Sequence, residues 1–174
     1  MRTVPVRSRS EADVVPCARM ARTVHAEDGY PAFLPTDFAD FLADGGAVAA
    51  WVAERDNTIV GHVALHPRSS DAVMAMASTA LGLPGDRLGV VARLLVSRDA
   101  RRGGVGHSLL ATAANEAVAR GLAPILDVAV RYQPAIDLYE SAGWLRAGRV
   151  TVHFDDGGTL DEYVYLGPAA NSPA

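Results

Sequence analysis

A chain of 174 residues, 49% hydrophobic and 21% charged, has the length and composition of one soluble globular domain and is neither disordered nor fibrous in character. Its net charge of -4 gives no general reason to bind nucleic acid or an anionic membrane. All 16 basic residues are arginine, which excludes chemistry resting on a lysine amine: a phosphate-binding P-loop lysine, a pyridoxal Schiff base or a kinase ion pair.

In chain order, residues 3–7 read as a short first strand, and Ser10 with Asp13 as a capping box opening a helix that ends near His25. A loop from Glu27 to Pro35 is rich in acidic and aromatic groups. Thr36 is the expected cap of a short helix, Asp37 to Ala43, closed by Gly45-Gly46. Val48–Glu54 and Thr58–His66 form an expected hairpin turning at Asp56-Asn57. Ser70 precedes an apolar helix over 71–82, stopped by Gly82 and Pro84. Leu88–Val96 is a near-continuous apolar strand broken only by Arg93, as a central strand buried on both faces would be. A glycine-rich turn then leads into a long helix to about Arg120. Strand 125–130, helix 134–142 and strands near 144–154 and 160–166 complete a mixed sheet with helices on both faces. Residues 1–166 read as a single domain, and the small-residue run 167–174 as a flexible tail.

Cys17 is the sole cysteine, so no intramolecular disulfide or cysteine-based metal cage can form, and no metal is expected. The opening residues lack the apolar core of an export signal and no window is long enough to span a membrane. The expected location is the cytoplasm.

The chemistry concentrates in Arg93–Leu110. A buried strand, a basic glycine turn and a helix start allow backbone N–H groups to converge beside a partial positive charge, an arrangement that suits pyrophosphate or simply makes a strand-to-helix turn. A dinucleotide fingerprint would put glycine where Leu109 stands, although Asp127 occupies the later acidic position. The run instead resembles the acetyl-CoA loop of GNAT-type N-acetyltransferases, with Arg101, Gly104 and Gly106 filling its pattern. Downstream, Ala135–Trp144 is similar to the family's second signature, a helix bearing Leu-Tyr-Glu that ends in Gly plus an aromatic.

That resemblance implies an α/β (α+β) fold with a mixed, mostly antiparallel central sheet flanked by helices. The 71–82 helix, between strands 3 and 4, would be an addition, walling the acceptor pocket or forming a dimer surface. Leu94, Leu95 and Val96 would offer backbone groups to the pantetheine arm. The N–H groups of Arg101, Arg102, Gly103, Gly104, Val105 and Gly106 would hold the pyrophosphate of acetyl-CoA. Tyr139 would protonate the departing thiolate. Glu27, Asp28 and Tyr30, with His25 and Phe33, would border the amine acceptor. His107 would reach phosphate or solvent. Two positions depart from the family: Tyr132 stands where many members have Asn, and Val90 where histone-acetylating members have a general-base Glu. Glu27, Asp28, Asp86, His62 and His66 are therefore alternative bases, beside a water relay.

The implied function is acetyl transfer from acetyl-CoA to the primary amine of a small, amino-acid-like or antibiotic-like molecule. A catalytically silent acyl-CoA-binding domain and a dinucleotide oxidoreductase are the alternatives. Trp51, Trp144 and the apolar 71–82 helix make a homodimer an open expectation.

Overall fold

The structure, a computed structural model, describes residues 3–32, 34–43 and 46–168. Its elements are β1 (Val6–Ser8), α1 (Val14–Asp28), α2 (Phe38–Ala43), β2 (Ala49–Arg55), β3 (Thr58–His66), α3 (Asp71–Leu81), β4 (Leu88–Val96), α4 (Val105–Ala119), β5 (Ala123–Ala129), α5 (Gln133–Ser141), β6 (Leu145–His153) and β7 (Thr159–Leu166). The seven strands follow the order β1-β2-β3-β4-β5-β7-β6. Pairs β1–β2, β2–β3, β5–β7 and β6–β7 are antiparallel, and β4–β5 is parallel. This mixed, mostly antiparallel sheet is the expected fold class, and α3 is the expected addition between the third and fourth strands.

Local chemistry explains the boundaries. Asp13 takes the N–H and hydroxyl of Ser10 at 2.7 and 2.8 Å, and a 3-10 turn at Glu11–Asp13 leads into α1. α1 runs three residues past His25, because left-handed Gly29 caps it by donating its N–H to the His25 carbonyl. The cap of α2 is Asp37, not Thr36: its carboxylate accepts from the N–H of Ala39 at 2.6 Å and of Asp40 at 3.2 Å. Asp56 and Asn57 both adopt positive φ, the two-residue turn the β2–β3 hairpin needs. Ser70 and left-handed Gly82 bound α3 as expected. Gly45, expected to close α2, and Phe33 lie outside the described residues.

The chain divides into two compact units. One holds Met1–Leu65 and Arg93–Ala113. In it Cys17, Ala21 and Val24 of α1 and Phe38 and Leu42 of α2 cluster with Val52 and Leu95. α4 packs Leu109 and Val105 over Gly61 and Ala53. Neighbours on a strand face opposite ways, so Val52 and Ala53 put α1 and α2 on one face and α4 on the other.

The second unit holds His66–Ala92 and Ala114–Ala174. Val73, Met74 and Ala77 of α3 pack on Val90, Ile125 and Val164, whereas Tyr139 of α5 stacks near Tyr165, on the opposite face. Each fully buried aliphatic side chain in these clusters contributes about 1.5–3 kcal/mol. Gly167, expected to begin a flexible tail, is buried and donates its N–H to Pro124 at 2.8 Å. Residues 169–174 of that tail lie outside the described residues. Trp51 and Trp144 are core residues, so neither supplies the apolar dimer surface expected of them.

Candidate functional site

In the first unit, β4 gives way to a 3-10 turn at Arg98–Ala100, and the chain then swings through Arg101–Gly104 into α4. Arg102 and Gly104 are left-handed, at φ 61° and 81°. Alternation of this kind folds successive N–H groups toward a common point, a concavity suited to an anion. The Ser108 N–H bonds the Gly104 carbonyl at 3.0 Å, so α4 starts directly after the glycine turn. A Cβ built on Gly104 would meet nothing within 4 Å, and the residue is exposed. Gly103, Val105 and Gly106 complete the turn, and Arg102 is exposed beside it. His107 lies in the first turn of α4, exposed.

Arg101 is oriented from two directions. Its Nε donates to the Val96 carbonyl at 3.0 Å, and its guanidinium pairs with Asp28 at the end of α1. The structure thus joins Asp28, expected on the acceptor side, to the glycine loop. Neighbouring Glu27 is exposed, and Tyr30 packs half-buried against the α1–α2 core. His25 bonds the Pro31 carbonyl at 3.1 Å through Nδ1 and meets Phe38 edge-on.

β4 is one strand from Leu88 to Val96, as its apolar run suggests, but its backbone is irregular at Arg93. Its parallel ladder with β5 runs from Leu88↔Ala123 to Val90↔Ile125 and stops, and Arg93 turns left-handed at φ 55°. A non-glycine residue there costs about 1–3 kcal/mol and persists only where its surroundings fix it. Arg93 is fixed by α2: its guanidinium lies 4.3 Å from the Phe41 ring centroid and its Nε donates to the Phe41 carbonyl at 3.2 Å. Beyond it come Leu94 and Val96, half-buried, and Leu95, which enters the core. His62 bonds the Arg93 carbonyl through Nδ1 at 2.9 Å, and its Nε2 faces the Arg9 guanidinium at 3.0 Å. A ring lone pair aimed at a fixed cation is a poor proton acceptor, so His62 does not suit the base role. The signal in the sequence was one charged residue inside an apolar strand.

In the second unit Tyr139 is buried on α5, its ring centroid 6.4 Å from that of Trp144 and 5.9 Å from that of Tyr165. Tyr132 occupies the N-cap of α5, and Val90 is core. Asp86 is exposed and His66 is buried. Asp127 accepts from the Ser69 hydroxyl at 2.8 Å and neighbours Glu162 on the same sheet face. Burial first, then the Asp127 charge and a hydrogen bond to it, push the Glu162 carboxyl well above the usual range. Sequence reasoning passed over this pair, whose only sign was Asp127 within one apolar strand and Glu162, next to Asp161, within another.

The model of the acetyltransferase (GNAT) family matches residues 18–144, well over half of the chain. No curated protein matches. Among solved structures, the ribosomal-protein-alanine N-acetyltransferase of Brucella melitensis is similar at 22% identity and TM-score 0.67, covering 94% of this chain and 98% of that one. An N-acetyltransferase of Staphylococcus aureus Mu50 is similar at 15% identity and TM-score 0.70, covering 95% and 98%. The Salmonella typhimurium protein yncA, solved with its cofactor acetyl-CoA, is similar at 18% identity and TM-score 0.69, covering 99% and 98%. These likenesses carry the fold, and the mostly antiparallel sheet sets aside the parallel dinucleotide-binding architecture. No helix among the described residues is long and apolar enough to cross a membrane. The loop, the sheet and the family match converge on one conclusion: the chain belongs to the GNAT acetyltransferase family and is an N-acetyltransferase.

Proposed function

We propose that residues 1–166 act as one domain that transfers an acetyl group from acetyl-CoA directly to the primary amine of a small, amino-acid-like or antibiotic-like molecule. The observation that carries this reading is the Arg101–Gly104 turn, with left-handed Arg102 and Gly104 opening into the N-terminus of α4. When bound, acetyl-CoA supplies a thioester whose carbonyl carbon accepts an amine. The N–H of Arg101 is already donated to the Arg98 carbonyl at 3.3 Å, so of the loop expected to bind pyrophosphate the N–H groups of residues 102–106 hold it, and the backbone of Leu94, Leu95 and Val96 lines the pantetheine arm. Tyr139 holds the proton that goes to sulfur as the thiolate leaves. The acceptor amine is neutral when it attacks and gives up one proton, which a water relay carries to solvent. Glu27 and Tyr30 border the acceptor, where a carboxylate and an aromatic ring suit a cationic amine.

Parallel calorimetric titrations with acetyl-CoA, CoA and NAD test the donor, and a thiol-release assay over a panel of amines tests the acceptor class. Binding of both CoA species without NAD, with turnover on small amines, supports the reading. Thiol release driven only by protein N-termini would replace the small-molecule acceptor. Binding without release on any amine would favour a silent acyl-CoA-binding domain.

A further inference from the structure

His62 is fully buried on β3 and is held at both ring nitrogens: Nδ1 lies 2.9 Å from the Arg93 carbonyl oxygen, and Nε2 lies 3.0 Å from Arg9 Nη1. A carbonyl can only accept and a guanidinium can only donate, so the ring is neutral, with its proton on Nδ1. Arg9 is anchored in turn by donating to the Leu42 carbonyl at the end of α2. The Arg93 side chain is held on Phe41, one residue earlier. The left-handed residue in β4 is thus clamped at its side chain by α2 and at its carbonyl by His62.

Peptide planarity carries the consequence one residue on. The Arg93 C=O and the Leu94 N–H belong to a single rigid trans unit and point in opposite directions. Fixing that carbonyl against His62 therefore fixes where the Leu94 N–H points. The bond thereby holds ψ at Arg93, next to the left-handed φ that the contacts with α2 hold in place. We infer that His62 is a positioning residue for acetyl transfer: by holding the Arg93 carbonyl, it presents the Leu94 N–H as the donor that polarises the thioester carbonyl. This rests on the reading that Leu94–Val96 line the acetyl donor. A fixed backbone donor needs no reorganisation as charge develops on the oxygen, which is where such groups contribute most.

Side-chain geometry supplies the test. The Asn amide nitrogen falls near the Nδ1 position of histidine and the Gln amide near Nε2, so His62→Asn keeps the bond to Arg93 and His62→Gln does not. Calorimetry with CoA and isotope-edited infrared spectra of acetyl-CoA labelled with carbon-13 at its carbonyl are measured on the whole chain, wild type and His62→Asn, His62→Gln and His62→Leu. The expected result is unchanged CoA affinity throughout, since the glycine loop is untouched. The bound carbonyl stretch should lie below its free position in wild type and His62→Asn, and return toward it in the other two. Equal stretches in wild type and His62→Gln, with CoA bound normally, would overturn the positioning role while leaving the donor site intact. Failure of wild type to bind CoA would overturn the donor reading and this role with it. Should His62→Leu not fold, the contrast between Asn and Gln decides.

Discussion

At the level of single residues, Tyr139 and Asp28 lead to different expectations. Tyr139 is buried with its ring between those of Trp144 and Tyr165, so Tyr139→Phe keeps the packing and removes only the hydroxyl. Thiol release should fall by about 10²-fold or more while CoA affinity stays close to wild type, as loss of a general acid without loss of a core ring requires. A full rate in the variant would remove Tyr139 from the reaction. The Asp28–Arg101 pair leaves each side chain 33% exposed, a setting in which ion pairs contribute about 0–1 kcal/mol. Asp28→Asn should therefore melt nearly as wild type, yet bind CoA more tightly at low salt, because Arg101 would no longer be neutralised beside the anion loop. That gain should vanish at high salt. Weaker CoA binding at low salt would mean that Asp28 serves by orienting Arg101. The Arg101, Gly104 and Gly106 pattern was legible in the sequence because its three members fall within six residues. The Asp28 partnership and the His62–Arg93–Arg9 clamp were not, because each joins residues distant in the chain and the left-handed φ at Arg93 leaves no periodic trace.

At the level of elements, caps and turns made most of the architecture readable. β3, β4 and α3 occur at or within a residue of where hydrophobic pattern, Ser70, Gly82 and the Asp56-Asn57 turn put them. The reading failed where two signals competed: Gly29 outweighed the loop character assigned from residue 27 onward, and Asp37 outcompeted Thr36 for the start of α2. Periodicity could not reveal how closely α4 approaches β3. A Cβ at Gly61 would stand 2.7 Å from Leu109 Cδ1, 3.2 Å from Val105 Cγ1 and 3.3 Å from Ala53 Cβ. Val105 opens α4 directly after the glycine turn, so displacing it displaces the N–H groups assigned to pyrophosphate. Gly61→Val should cost about 1–3 kcal/mol of stability through overpacking. It should weaken CoA binding as well, although residue 61 lies on a different strand from the loop. Thermal melting and calorimetry on the same variant check both, and CoA affinity equal to wild type would show that α4 is not what positions the loop.

For the whole molecule, two buried or half-buried acids pull the pH dependence of stability in opposite directions. Asp13 is held well below the usual carboxylate range, chiefly by its hydrogen bonds from the Arg7 guanidinium, with Ser10 adding to them. The folded state therefore binds that proton less readily than the unfolded chain, and this stabilisation is present above the ordinary value of 3.8 and lost as pH falls through the lowered one. Glu162 has the opposite sign. Burial beside Asp127 lifts its carboxyl above the ordinary 4.5, so the folded state keeps a proton that the unfolded chain has released. Stability from this group is complete below that ordinary value and declines as pH rises through the raised one. Register places Glu162 opposite Ala129 and Asp127 opposite Val164, so the two acids are diagonal neighbours on one face, and the second charge cannot form without repelling the first. The melting temperature should accordingly decline between about pH 5 and about pH 8. Glu162→Gln keeps a donor toward Asp127 and has nothing to ionise, so its melting temperature should be flatter over that range and exceed wild type at the alkaline end. Melts of both proteins across that range decide the matter: parallel curves would mean that Glu162 ionises normally and that the pair does not share a proton.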